Sequence, residues 1–74
     1  MKREQLESYL GQRVTIQLFD DTVDTGYLQK TGDIRFQQDL NLFLPKNQYF
    51  LTSNKETKQT ISPIFRCSHV KKLT

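Results

Sequence analysis

Residues 13–30, RVTIQLFDDTVDTGYLQK, constrain the fold more than any other stretch, because apolar residues recur there at every second position. Val14, Ile16 and Leu18 share one face of an extended segment and Arg13, Thr15 and Gln17 the other, the pattern of a half-buried strand. Asp20-Asp21 supplies turn chemistry, so the returning segment reads as the second strand of a hairpin. Its parity is broken: Val23 and Leu28 lie five apart and cannot share a face in a regular strand. Gly26 stands between them, where a bulge or sharp bend costs least. Strands bent that strongly let a small sheet close on itself, which argues for a barrel over a flat sheet.

The remaining chain adds one helix and more strands. In KREQLESYLG, Leu6, Tyr9 and Leu10 fall at helical spacing and Gly11 suits the left-handed residue after a last turn, which predicts a helix over about 3–10. The stretch 31–39 is polar apart from Ile34 and Phe36 and reads as a loop. Leu40, Leu42 and Leu44 alternate, predicting a third strand over about 40–52, with Pro45 marking an end, a bulge or an edge. SNKETK (53–58) reads as a polar hairpin turn. A fourth strand follows over about 59–67, with Pro63 again at a bulge or edge, then a tight Ser68-His69 connection and a short fifth strand over 69–73. Repeats, low-complexity tracts and interdomain linkers are absent. The expected fold class is mainly β: one domain over 1–74, an N-terminal helix and a five-stranded, strongly bent antiparallel barrel of SH3-like or Sm-like kind. Its expected core is Leu6, Leu10, Val14, Ile16, Leu18, Leu28, Leu42, Leu44, Phe65 and Val70.

Size and charge bound the function. A chain of 74 residues buries only about 60% of its unfolded surface, so its core is thin and deep active-site clefts are hard to build. Eleven Lys/Arg against eight Asp/Glu leave a net charge of +3, which permits an anionic partner without requiring one. With Cys67 as the single cysteine, no internal disulfide can form, and a reducing compartment is the simpler expectation. No run of 18 apolar residues exists, and no apolar segment follows the basic residues of MKREQLESYL, so neither a membrane span nor a signal peptide is expected. A cytoplasmic protein is the expectation.

The order of helix and strands, together with three segments, resembles the Sm-like (Sm/Lsm) family. LGQRVTIQLFDDTVDTGYLQK is similar to the first half of the Sm1 signature, with its acidic turn and central glycine. FQQDLNLFL (36–44) is similar to that family's phenylalanine–aspartate–x–x–methionine–asparagine–leucine segment, with Asn41 at the asparagine. FRCSHVKKL resembles the Sm2 signature. The chain is also similar to short proteins of low-GC Gram-positive bacteria and their phages. Two positions depart from the family pattern. Gln37 stands where aspartate is usual, and Cys67 stands at a glycine where backbone approaches RNA in the family. The resemblance implies a barrel that binds RNA or single-stranded nucleic acid through Phe36 (stacking), Asn41 (base edges), Arg66 (stacking or phosphate) and His69. Lys30 and Arg35, with Lys71 and Lys72, would give electrostatic support. It also implies homo-oligomers formed by strand-edge pairing.

Enzymatic readings are weak. Cys67 and His69 lack a third member and a cleft, and one cysteine plus one histidine supply two ligands where structural zinc takes four. Asp20, Asp21 and Asp24 read as a solvated turn, and the isolated glycines form no phosphate loop. The expectation is a non-enzymatic binding module without metal or cofactor: nucleic-acid binding, or else a protein–protein adaptor using an exposed sheet edge.

Overall fold

The computed structural model describes residues 1–53 and 60–74. A short helix α1 (Arg3–Glu7) precedes β1 (Arg13–Leu18) and β2 (Val23–Lys30). A 3-10 turn (Ile34–Phe36) and helix α2 (Leu40–Phe43) then lead to β3 (Gln48–Thr52). After the undescribed stretch come β4 (Phe65–Arg66), a second 3-10 turn (Cys67–His69) and β5 (Val70–Leu73). The strands form one antiparallel sheet in the order β4-β3-β2-β1-β5, with β4 and β5 at its edges. Residues 54–59, which hold most of the expected polar turn and the start of the expected fourth strand, lie outside the described residues.

The β1–β2 hairpin follows its sequence pattern. Leu18 and Thr22 close a three-residue loop, with Leu18 N donating to Thr22 O at 2.9 Å and Asp21 N to Leu18 O at 2.9 Å. Asp21 takes the left-handed position at φ 69°, which a short polar side chain tolerates. Of the bulge or sharp bend expected at Gly26, the bulge is not there. Register runs unbroken from Arg13↔Tyr27 to Gln17↔Val23, with Gly26 opposite Val14. The apparent parity fault arises because Val23 is 56% exposed and never belonged to the buried face. Gly26 answers a different need. A Cβ there would sit 2.7 Å from the Thr52 carbonyl oxygen and 2.7 Å from Ile61 Cδ1. The register shift lies instead in β1, between Gln17 and Leu18 where they meet β5.

Three other expectations need correction. First, the helix stops at Glu7 rather than running to residue 10. Gly11 N donates to Leu28 O at 2.8 Å and Leu28 N to Gln12 O at 3.0 Å, so β2 captures the chain there and the last turn unwinds into i→i+3 bonds. Leu6 is buried, but Leu10 is 36% exposed. Gly11 does take the left-handed conformation, at φ 81°. Second, residues 40–43 are helical rather than extended. Asp39 caps them, its Oδ1 accepting from Asn41 N at 3.0 Å, and Leu44 N closes the turn on Leu40 O at 3.0 Å. Of the alternating leucines only Leu42 is buried, whereas Leu40 is 60% and Leu44 63% exposed. Third, β4 shrinks to Phe65–Arg66. Upstream, the chain follows β3 irregularly around Pro63, with Ile61 N donating to Leu51 O at 2.9 Å and Leu51 N to Ser62 Oγ at 2.9 Å. A hydroxyl thus replaces the ladder carbonyl beside a proline that a regular strand could not hold.

Two apolar clusters occupy opposite faces of β3. Tyr49 and Leu51 join Leu6, Val14, Ile16, Leu18, Leu28, Phe65 and Val70 in the larger one. Phe50 points the other way and packs with Phe36 and Leu42 under the 34–43 excursion. Gln29, also buried on that face, donates to Thr52 Oγ1 at 3.2 Å and accepts from Arg35 Nη2 at 2.7 Å. Among the described residues β4 and β5 do not pair with each other, so the sheet is open, and a length argument shows that it bends rather than lying flat. The outer strands of a flat five-stranded sheet lie about 19 Å apart. The chain from Arg66 to Val70 can reach only about 14 Å.

Candidate nucleic-acid interface

The residues expected to bind nucleic acid do not gather in one place. Phe36 is 2% exposed, and its ring meets Phe50 edge-on at 5.0 Å between centroids. It is a core residue, so its expected role in base stacking is corrected by burial. Arg35 lies 5.2 Å over the Phe36 ring and binds Gln29 and Asp33, with Arg35 Nε 3.3 Å from Asp33 Oδ1. Its backbone N–H and guanidinium together hold the Asp33 carboxyl below the usual aspartate range, the backbone bond contributing most. Asn41 is exposed on α2, its N–H spent on the Asp39 cap.

Lys30 is committed as well. Its ammonium lies 2.7 Å from Glu7 Oε2, which also accepts from the buried Tyr49 hydroxyl at 2.6 Å. This trio fastens α1 to the sheet. The bonds from Lys30 and then Tyr49 hold the Glu7 carboxyl below the ordinary glutamate range, while burial and the Glu7 bond push the Tyr49 hydroxyl well up. A lowered folded-state carboxylate contributes stability above its unfolded value, near pH 4.3, and loses it as pH falls through the folded value. Acid unfolding of the wild type is therefore expected to set in below about pH 4.5. Glu7→Gln should lower stability at pH 7 and flatten that acid loss in part; Asp20 and Asp33, shifted the same way, retain the rest. Urea midpoints at pH 7 and pH 3 check this, and equal pH dependence in both proteins would refute it.

Arg66 and His69 meet through one hydrogen bond, in which the Arg66 backbone N–H donates to the His69 ring nitrogen Nδ1 at 3.3 Å. Their side chains serve different hollows. His69 lines a small one with Leu18, Phe19 and Asp20. Arg66 lines a cavity of about 430 Å³ with Arg3, Lys46, Asn47, Gln48 and Ser68. Among the described residues no carboxylate lines this cavity, and Arg3, Lys46 and Arg66 form no ion pair. Three cations facing shared solvent raise the local anion concentration. Cys67 reaches the same cavity but is half-buried, its Sγ donating to the Met1 carbonyl at 2.9 Å. The thiol and the imidazole thus have separate partners. No cluster of metal-ligating side chains occurs among the described residues, and no helix among them is long and apolar enough to cross a membrane.

Arg3 and Lys46 have no signal in the sequence that ties them to Arg66. Arg3 opens a short helix and Lys46 follows Pro45 in a turn, and neither position carries a pattern that marks a site. The chain matches no protein-family model, no curated protein and no solved structure.

Proposed function

We propose that this chain is a non-enzymatic binding module for RNA or another single-stranded nucleic acid, built on an Sm-like small barrel. The observation that carries this reading is the convergence of Arg3, Lys46 and Arg66 on one cavity that, among the described residues, no carboxylate lines. An N-terminal helix, the strand order β4-β3-β2-β1-β5 and bending of the sheet between edges joined by residues 67–69 support the barrel. Arg66, at the end of β4, offers a planar cation that can stack on a base while contacting phosphate, which lysine cannot reproduce.

Fluorescence anisotropy with U-rich and A-rich oligonucleotides at two salt concentrations tests the reading. Arg66→Ala should weaken binding by about 1–3 kcal/mol with the fold intact. Arg13→Ala, exposed at the start of β1 and lining neither of the hollows described above, should change it little. Wild-type binding should fall as salt rises, because phosphate contacts release counterions. No binding at low salt, or equal loss from both variants, removes the reading. A protein–protein adaptor would then stand, favoured by Phe19 at 66% exposure and by the outer edge of β5. Its simplest case, pairing between copies at the sheet edges, is read by light scattering on the same sample.

A further inference from the structure

Another hollow, of about 600 Å³, adjoins the cationic one, and Lys46 and Asn47 line both. Lys46-Asn47 is therefore the ridge between them, with Asn47 in the left-handed conformation at φ 58°. The two sides of this ridge differ in chemistry. On one stand Arg3 and Arg66. On the other lie Leu10, Leu44 and the half-buried Phe43, with Leu10 36% and Leu44 63% exposed. Large exposed apolar side chains gathered in a concavity gain free energy when something flat and apolar covers them. The charged residues on this second rim are already engaged, Lys30 by Glu7 and Asp33 by Arg35. Lys46 alone faces both sides without an ion-pair partner among the described residues.

We infer that the two hollows form one track for successive nucleotides of a single strand. Phosphates lie against Arg3, Lys46 and Arg66, and a base lies across the ridge on Leu10, Phe43 and Leu44. This rests on the nucleic-acid reading above and adds to it the residues that hold the base. A cationic hollow joined through one lysine to an apolar hollow matches the alternation of phosphate and base along a strand. An acidic peptide can satisfy the first hollow, but it carries no flat ring at a fixed distance from each charge. The base seat also differs from the place the sequence suggested, since Phe36 is in the core and Phe43 and Leu44 take up its expected task.

The test uses the full chain and fluorescein-labelled hexanucleotides, with an abasic strand of equal phosphate count as the second probe. Leu44→Ser alters a largely exposed side chain and should leave the thermal melt unchanged. It should weaken the hexanucleotide about fivefold or more, leave the salt slope as it was, and leave abasic-strand binding unaffected. Lys46→Ala should weaken both probes and reduce the salt slope by about one. Leu10→Ser, in the same hollow, should repeat the Leu44→Ser result. If Arg66→Ala weakens the hexanucleotide while Leu44→Ser and Leu10→Ser bind it as the wild type does, the track is wrong and nucleic-acid binding stands. If no hexanucleotide binds at low salt, both fall. If a glutamate-rich peptide binds as tightly as the hexanucleotide and loses affinity equally in Leu44→Ser, the groove serves a protein and the track is overturned.

Discussion

Phe50→Ala is expected to lower stability by about 3–5 kcal/mol, a large share of what a domain this size possesses, since its total is about 4–11 kcal/mol. Phe50 is fully buried on the face of β3 turned away from the larger core, where it meets Phe36 edge-on at 5.0 Å and packs with Leu42. Among the described residues the cluster has three buried members, so little can collapse into the space that truncation leaves. Thermal unfolding followed by circular dichroism reads the loss at about 4–8 °C per kcal/mol. A double-mutant cycle with Phe36→Ala should give a coupling of about 0.5–1.5 kcal/mol beyond area burial. If Phe50→Ala melts within a few degrees of the wild type, the 34–43 excursion is not part of the cooperative fold.

Gly26→Val should be among the most damaging single changes in the sheet, although valine favours strands in general. The obstacle is proximity rather than conformation. A Cβ would stand 2.7 Å from the Thr52 carbonyl oxygen and 3.1 Å from Leu51 Cβ. The Ile61 contact at 2.7 Å is a side-chain end that can move, but the Thr52 oxygen belongs to backbone. Relief requires β2 and β3 to separate, and their ladder runs from Tyr27↔Thr52 to Lys30↔Tyr49. Overpacking typically costs about 1–3 kcal/mol. Gly26→Ala should fall in that range, and Gly26→Val above it. Val23→Gly, on the exposed side of the same strand, is the control and should cost about 1 kcal/mol at most. Equal melting temperatures for Gly26→Val and Val23→Gly would show that the close approach does not exist.

The clearest sequence signals lay where a residue's neighbours in space are also its neighbours in the chain. Alternation over 13–18 placed Val14, Ile16 and Leu18 on the buried face, and Asp20-Asp21 turned the chain, because a hairpin's pairing is decided within its own residues. Gly11 announced its left-handed backbone for the same local reason. The leucines at 40, 42 and 44 show the limit of this logic. Their alternation has strand period, but the Asp39 carboxylate caps a helical turn and only Leu42 finds a partner, Phe50 from a different segment. Phe36 looked available because its own surroundings are polar, and it is buried because Phe50 and Leu42 lie over it. The amino-acid sequence by itself determined a β-rich chain with a short N-terminal helix and a hairpin of known inner face. Tertiary structure alone decided which aromatic rings are hidden and which cations meet. Arg3, Lys46 and Arg66 share a cavity only because the sheet coils and brings the turn before β3, the end of β4 and the first helix to one place. Local periodicity encodes faces. Convergence of distant charges is a property of the folded path.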